Sequence, residues 1–200
     1  VCASDKGDGA SLALVDLSQD AVSKDNVQMI DFSRGHTELV FDGACAETLG
    51  EEGAGWTAVE SLMNTAAVLF AWEQIGIADK ALEQAREYAL GRFAFGRSIA
   101  SYQAIKHKLA KMYVKNTLAR SNAYYGAWAL NAKASDLAVA SATSRVAAIQ
   151  ASLFAAEENI QTHGGMGFTW EFDCQFYYRR AKLLSLAVGS EKQWPGRLVD

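Results

Sequence analysis

The sequence predicts a mainly helical chain, an antiparallel four-helix bundle preceded by a few antiparallel β-strands. Three observations carry this. From Gly55 to Gln193 there is no proline, and Ala, Leu, Gln, Glu and Lys, all strong helix formers, dominate. Within that stretch apolar residues recur at three- and four-residue spacing. Residues 1–54 read differently: glycines at 7, 9, 35, 43, 50 and 53 punctuate short apolar runs. The division that follows is a β-region over 1–54 and a helical domain over 55–200.

In the β-region, residues 11–17, 27–32 and 37–41 are strand-length segments between turn residues. The first helix is expected over 56–90, with Val59, Leu62, Met63, Ala66, Leu69 and Phe70 at helical spacing. The second, over 102–131, carries Ile105, Leu109, Met112 and Tyr113 on one side and Val114, Leu118, Tyr124, Tyr125 and Trp128 on others. Apolar residues on several faces imply burial between neighbours. The third runs over 136–162 with Asp136 as N-cap, and small residues at Ala140, Ser144, Ala147, Ala151 and Ala155 permit close helix approach. The fourth, over 172–187, presents Phe176, Tyr177, Ala181, Leu184 and Leu186 before Gly189 ends it.

Composition narrows the function. Half of the residues are apolar, enough for a sizeable core. The 19 basic residues face 23 acidic ones, a net charge of -4 with no basic block, which argues against nucleic acid. No apolar stretch runs uncharged for about 18 residues, and Val1 to Lys6 lack the basic and apolar regions of a signal peptide. The expectation is a soluble, cytoplasmic protein without a membrane span. Cys2, Cys45 and Cys174 are odd in number, far apart and free of CxxC spacing, so reduced thiols are expected. His36, His107 and His163 have no ligand partner at metal spacing, and the Glu-x-x-His pairs of a di-iron bundle are missing; no metal is expected.

The inter-helix connections hold the chemistry. Residues 92–97 join the first two helices and residues 161–168 the last two, both expected as loops. A Gly-Gly-x-Gly turn lets backbone N–H groups approach a polar or anionic ligand closely, since no Cβ intervenes. The plain alternative is that these glycines only cap one helix and turn into the next.

The run Tyr88-Ala89-Leu90-Gly91-Arg92-Phe93-Ala94-Phe95-Gly96-Arg97-Ser98-Ile99, followed by Tyr102-Gln103-Ala104-Ile105-Lys106-His107-Lys108-Leu109-Ala110, resembles the YALxRxxFGxxI…xQAIxHKLA stretch of acyl-CoA dehydrogenases. A second signature of that family, QxxGGxGFTxE with a later RxAK, is similar to residues 161–182, with Arg180-Ala181-Lys182 in place. The resemblance covers essentially the whole chain. It implies that residues 1–54 are closing strands of the family's middle β-domain, and leaves the N-terminal helical domain without a counterpart in these residues.

Several roles follow by resemblance. Arg92, Phe95, Gln161, Gly164 and Gly165 match positions that hold the adenosine diphosphate part of an FAD whose isoalloxazine lies in a neighbouring subunit; Ala94, Tyr102, Gln103 and Ser190 match further flavin contacts. A guanidinium suits a pyrophosphate through charge-assisted hydrogen bonds. Because such a site straddles an interface, oligomerisation is implied. In the family reaction a glutamate removes the α-proton of an acyl-CoA thioester while the β-hydride passes to flavin, with an electron-transfer flavoprotein as acceptor. The two usual places for that glutamate are Val188 and Ala66 here, and neither residue takes a proton. Ala67 and Asn64 also depart from the family's arginine and aspartate, so the acyl-CoA pocket reads as degenerate. Losing general-base catalysis typically costs about 10² to 10⁴ in rate.

The chain therefore resembles the base-less subunit of heterotetrameric bacterial acyl-CoA dehydrogenases, including those of steroid side-chain breakdown. A homologous partner subunit would then supply the glutamate. Alternatives stay open: a homotetramer with a displaced base, for which Glu60, Glu73 and Glu191 are the available carboxylates; a flavin oxidase or monooxygenase of the same fold; or a helical module that has lost FAD.

Overall fold

The computed structural model describes Cys2–Ala3 and residues 9–198; apart from that short backbone segment, the stretch read above for a signal peptide lies outside the described residues. The chain divides into two compact units, Val1–Met63 and Asn64–Asp200.

The first unit holds β1 (Cys2–Ala3), β2 (Ala10–Val15), β3 (Val22–Val27), β4 (His36–Phe41) and β5 (Ala46–Leu49). β2 is flanked by β1 and β5, both antiparallel to it, with Leu12 opposite Leu49 and Val15 opposite Ala46. β3 and β4 form a separate hairpin from Val22 opposite Phe41 to Val27 opposite His36. The expected strand over 27–32 is displaced. Its pairing partner for β4 is the more polar run just upstream, whose Ser23, Lys24, Asp25 and Asn26 are exposed, so apolar content gave no signal there. Residues 28–32 instead leave the ladder, and the Asp31 carboxylate accepts the Ser33 N–H at 2.9 Å and the Ser33 hydroxyl at 2.6 Å, an Asx-turn. The first expected strand also ends early, at Val15, where Asp16 accepts the Ser18 N–H at 2.8 Å.

The helices are α1 (Gly55–Gly91), α2 (Gln103–Ala132), α3 (Leu137–His163) and α4 (Cys174–Leu186). Three ends have a different cause from the one expected. Asp136 precedes α3, but its carboxylate takes the Tyr125 hydroxyl and caps no α3 amide. α4 is ended by Ala187 in an extended conformation, with Gly189 falling in the following turn. Residues 161–163 belong to α3, and the turn proper is a 3-10 segment, Gly164–Phe168. The 92–97 connection is a small hairpin, β6 (Phe93–Ala94) against β7 (Arg97–Ser98), whose central Phe95 and Gly96 both have positive φ, 53° and 77°. That is the geometry of a type I′ turn.

Alanine builds the core of the second unit. Ala71 and Ile75 of α1 meet Ala119 and Ala123 of α2 and Ala148 and Ala151 of α3; one level along, Ala78, Ala81 and Ala85 meet Met112 and Ala155; Ile77 and Ala156 meet Ala181 and Leu184 of α4. Rising numbers on α1 meet falling numbers on α2, which gives the up-down alternation of an antiparallel bundle. Three uncharged polar rungs, buried or partly buried, join α1 to the parallel α3. The Ser141 hydroxyl donates to Asn64 at 3.2 Å, the Gln74 amide to Ser152 at 3.2 Å, and the Asn159 amide to Gln84 at 2.9 Å. A core of small side chains can slide by a turn; amides that must find partners fix its register. Residues 137–168 include an 18-residue window of mean hydropathy 1.3, long and apolar enough to cross a membrane, but half of that window is buried inside the bundle.

Candidate functional site

Tyr88 lies in the last turn of α1 and Arg92 directly follows the helix, its N–H donating to the Tyr88 carbonyl at 2.8 Å. The hairpin that follows is tied back: the Ile99 N–H donates to the Arg92 carbonyl at 2.8 Å, and the Ser98 hydroxyl to the Ala89 carbonyl at 2.7 Å. From the other side His163, last residue of α3, stacks on Tyr88 at 4.2 Å between ring centroids, with Phe172 edge-on to both. Between these ends lies a groove of about 440 Å³ lined by Tyr88, Arg92, Ile99, His163, Gly164 and Gly165. It adjoins hollows of about 310 Å³ beside Gly91 and Phe172 and about 260 Å³ beside Glu87, Glu171 and Asp173.

Arg92 is exposed and, among the described residues, its guanidinium has no ion-pair partner. Gly164 has φ 61° and ψ −136°, a conformation open essentially to glycine alone. Gly165 is different: its backbone does not demand glycine, and a Cβ there would meet nothing within 4 Å. Gly167 is a packing glycine, since its Cβ would lie 2.7 Å from the Ile160 carbonyl. Buried His163 donates Nδ1–H to the Asn159 carbonyl at 2.9 Å, leaving Nε2 as an acceptor in the neutral ring. Burial holds its pKa below the usual 6.5, against the raising effect of that hydrogen bond.

Arg92, Gly164 and Gly165, expected from sequence, are thus brought into one groove. Ala94 and Tyr102 shape its hairpin: the Tyr102 hydroxyl donates to the Ala94 carbonyl at 3.0 Å, and Arg97 lies over the Tyr102 ring at 4.0 Å. Phe95 at the hairpin tip is 97% exposed. Gln103 opens α2 and Gln161 sits in the last turn of α3, both exposed and outside the groove lining. Ser190 lies elsewhere, in the turn after α4, its N–H donating to Gln193 Oε1 at 2.8 Å. Sequence reading missed Tyr88, His163 and Phe172 as a ring cluster. Only the four-residue spacing of Tyr88 and Arg92 hinted at it.

At the two usual base positions, Ala66 is half-buried, and Val188 sits at φ 55° in the turn that contains Ser190. Asn64 is buried, and its Oδ1 accepts Ser141 and, at 3.2 Å, Arg197. Of the other carboxylates, Glu73 pairs with Arg180 at 2.8 Å and Glu191 accepts the Gln150 amide at 3.0 Å.

Known proteins agree with this architecture. The acyl-CoA dehydrogenase C-terminal domain model matches residues 53–193. Acyl-CoA dehydrogenase IpdE2 of Mycobacterium tuberculosis is 43% identical over 123 residues, 60% of this chain and 36% of that protein. Among solved structures, butyryl-CoA dehydrogenase from Megasphaera elsdenii superposes with a TM-score of 0.89 at 24% identity, covering 96% of this chain and 51% of that one. The Tcur3481-Tcur3483 steroid ACAD gives 0.83 at 25% identity, covering 95% and 51%. The chain thus spans between about a third and a half of these relatives. With the helical bundle, both loop signatures and the domain match in agreement, the chain belongs to the acyl-CoA dehydrogenase family, whose C-terminal domain it carries.

Proposed function

We propose that this chain is a subunit of a cytoplasmic, FAD-dependent acyl-CoA dehydrogenase that α,β-desaturates an acyl-CoA thioester. In this reading it lends residues to the cofactor, and a homologous partner subunit supplies the catalytic glutamate. The observation that carries the reading is the uncommitted Arg92 guanidinium across one groove from Gly164 and Gly165. A pyrophosphate fits this donor set: the guanidinium offers paired N–H donors and the glycine turn leaves room for close approach of the backbone. Phe95, exposed at the hairpin tip, offers an aromatic face that the same reading assigns to the cofactor. A bound flavin would supply the two-electron acceptor of the desaturation, with an electron-transfer flavoprotein reoxidising it.

The division of labour between subunits is supported by what stands at the base positions. Val188 and Ala66 hold no proton-accepting group, Glu73 is engaged by Arg180, and Glu191 is engaged by Gln150. Asn64, turned to Ser141 and Arg197 inside the bundle, is also spent on structure. The exposed Tyr113, Leu118, Tyr124 and Trp128 of α2 are suited to cover by another subunit. A steroid side-chain CoA is one substrate class that this reading takes in, since a similar solved protein is a steroid ACAD.

The test is purification of the native complex, its subunit composition and its flavin-to-subunit ratio, with and without Arg92→Ala. The reading expects two homologous chains and at least a tenfold weaker flavin affinity in the variant, since a charge-assisted contact is worth roughly 1.5–3 kcal/mol. A chain that alone holds FAD and oxidises acyl-CoA would overturn the shared-base reading. Unchanged flavin affinity in Arg92→Ala would overturn the cofactor site.

A further inference from the structure

Arg145, in the middle of α3, is fully buried with no carboxylate partner among the described residues. Charged side chains are almost never fully buried unless paired. Its partners are of another kind. Nη2 donates to the Leu184 carbonyl and, at 2.6 Å, to the Ala187 carbonyl; Nη1 donates to Gln74 Oε1 at 2.5 Å; the guanidinium lies 5.7 Å from the Phe70 ring. Leu184 and Ala187 are the end of α4, where unpaired carbonyls gather partial negative charge. A cation placed there compensates that end, and burial pushes the Arg145 pKa down to about 10, which still leaves it charged at neutral pH.

The turn beyond that end is strained. Val188 has φ 55°, costly for a β-branched residue, and Gly189 follows at φ 99°. Such a conformation persists only where its surroundings over-determine it. Here they do. The Ala187 carbonyl is held by Arg145, the Val188 carbonyl by the Trp194 indole N–H at 3.1 Å, and the Ser190 N–H by Gln193 Oε1 at 2.8 Å. Trp194 is itself buried against Ala67 and Ala142. Two successive carbonyls of the turn are thus gripped from the buried side, by Arg145 and Trp194, while the Ser190 amide is held locally by exposed Gln193.

We infer that Arg145 is a positioning residue: from the bundle core it sets the shape of the Ala187–Ser190 turn, and through it the placement of Val188 and Ser190 toward the ligand. The role assigned to the ligand side rests on the function proposed above; the grip on the turn does not.

The experiment uses the assembled complex containing Arg145→Met, which keeps bulk but no donor, and Arg145→Lys, which keeps the charge but has only one nitrogen and cannot hold Gln74 as well as the two carbonyls that Nη2 holds. Hydrogen exchange by mass spectrometry is read over residues 187–194 and over α1 and α2. Arg145→Met is expected to speed exchange in 187–194 at least tenfold while α1 and α2 stay within about twofold, with Arg145→Lys recovering part of the protection. Equal acceleration everywhere, or none in 187–194, overturns the inference. If Arg145→Met does not fold, Arg145→Lys is judged by the same local-against-global comparison. Flavin dissociation is measured in parallel. Selective exchange with unchanged flavin binding keeps the grip but removes Ser190 from the ligand site, whereas loss of both supports the whole.

Discussion

The rings of Tyr88 and His163 lie 4.2 Å apart with planes 30° from parallel, joining the last turn of α1 to the last residue of α3. This contact makes the groove, because Arg92 follows Tyr88 by one turn and Gly164 follows His163 directly. Replacing Tyr88 with leucine keeps bulk and removes the ring. The stability cost is expected at about 0.5–1.5 kcal/mol beyond lost area, with a larger relative loss of flavin affinity as the two ends separate. Denaturation midpoints alongside flavin titration would check this; a stability loss without weakened flavin binding would detach the ring pair from the site.

Gly165 and Gly167, two of the three glycines in the 164–168 turn, separate function from packing. Gly165→Ala adds a methyl into open space and is expected to change stability by less than about 0.5 kcal/mol. Flavin affinity is expected to fall about tenfold, or roughly 1.4 kcal/mol, because that space is the groove. Gly167→Ala drives a methyl against the Ile160 carbonyl and is expected to cost about 1–3 kcal/mol of stability. Thermal melts of both variants discriminate, and the opposite order of stabilities would contradict the assignment.

His163 makes the bundle acid-sensitive. Its folded pKa lies below the unfolded value of 6.5, chiefly through burial, so between the two the unfolded chain binds more protons. Stability therefore falls as pH drops through 6.5 and stops responding to this group once pH is below the folded pKa. His163→Phe keeps an aromatic ring without a titrating group. Melting temperatures from about pH 7.5 to about pH 5 should decline less in the variant, and identical declines would remove His163 from the acid response.

Gln74 is fully buried and divides its amide between Arg145 and Ser152. Gln74→Met has similar volume but leaves a buried guanidinium short of an acceptor. The expected loss is about 3 kcal/mol, read from chemical denaturation at constant m-value. A loss below about 1 kcal/mol would show that the bundle rearranges to supply another acceptor.

The four helices were legible in the residue order because helical periodicity is a local property: apolar residues three and four apart, no proline and abundant alanine specify helix whatever lies across the bundle. The Arg92 and Gly164–Gly165 loops were legible for a different reason, their resemblance to a family. Strand β3 was not legible, since its residues are polar and its place comes from six pairings with β4. Nor was the end of α4, where Ala187 and not Gly189 breaks the helix, held by an arginine 42 positions earlier. Residue order alone determined which segments are helices and which loops carry the donors. Tertiary structure alone decided that Tyr88 meets His163, that Arg145 spends its charge on backbone carbonyls, and that Val188 sits in a left-handed turn, because each depends on contacts between residues distant in sequence that only packing brings within a few ångströms.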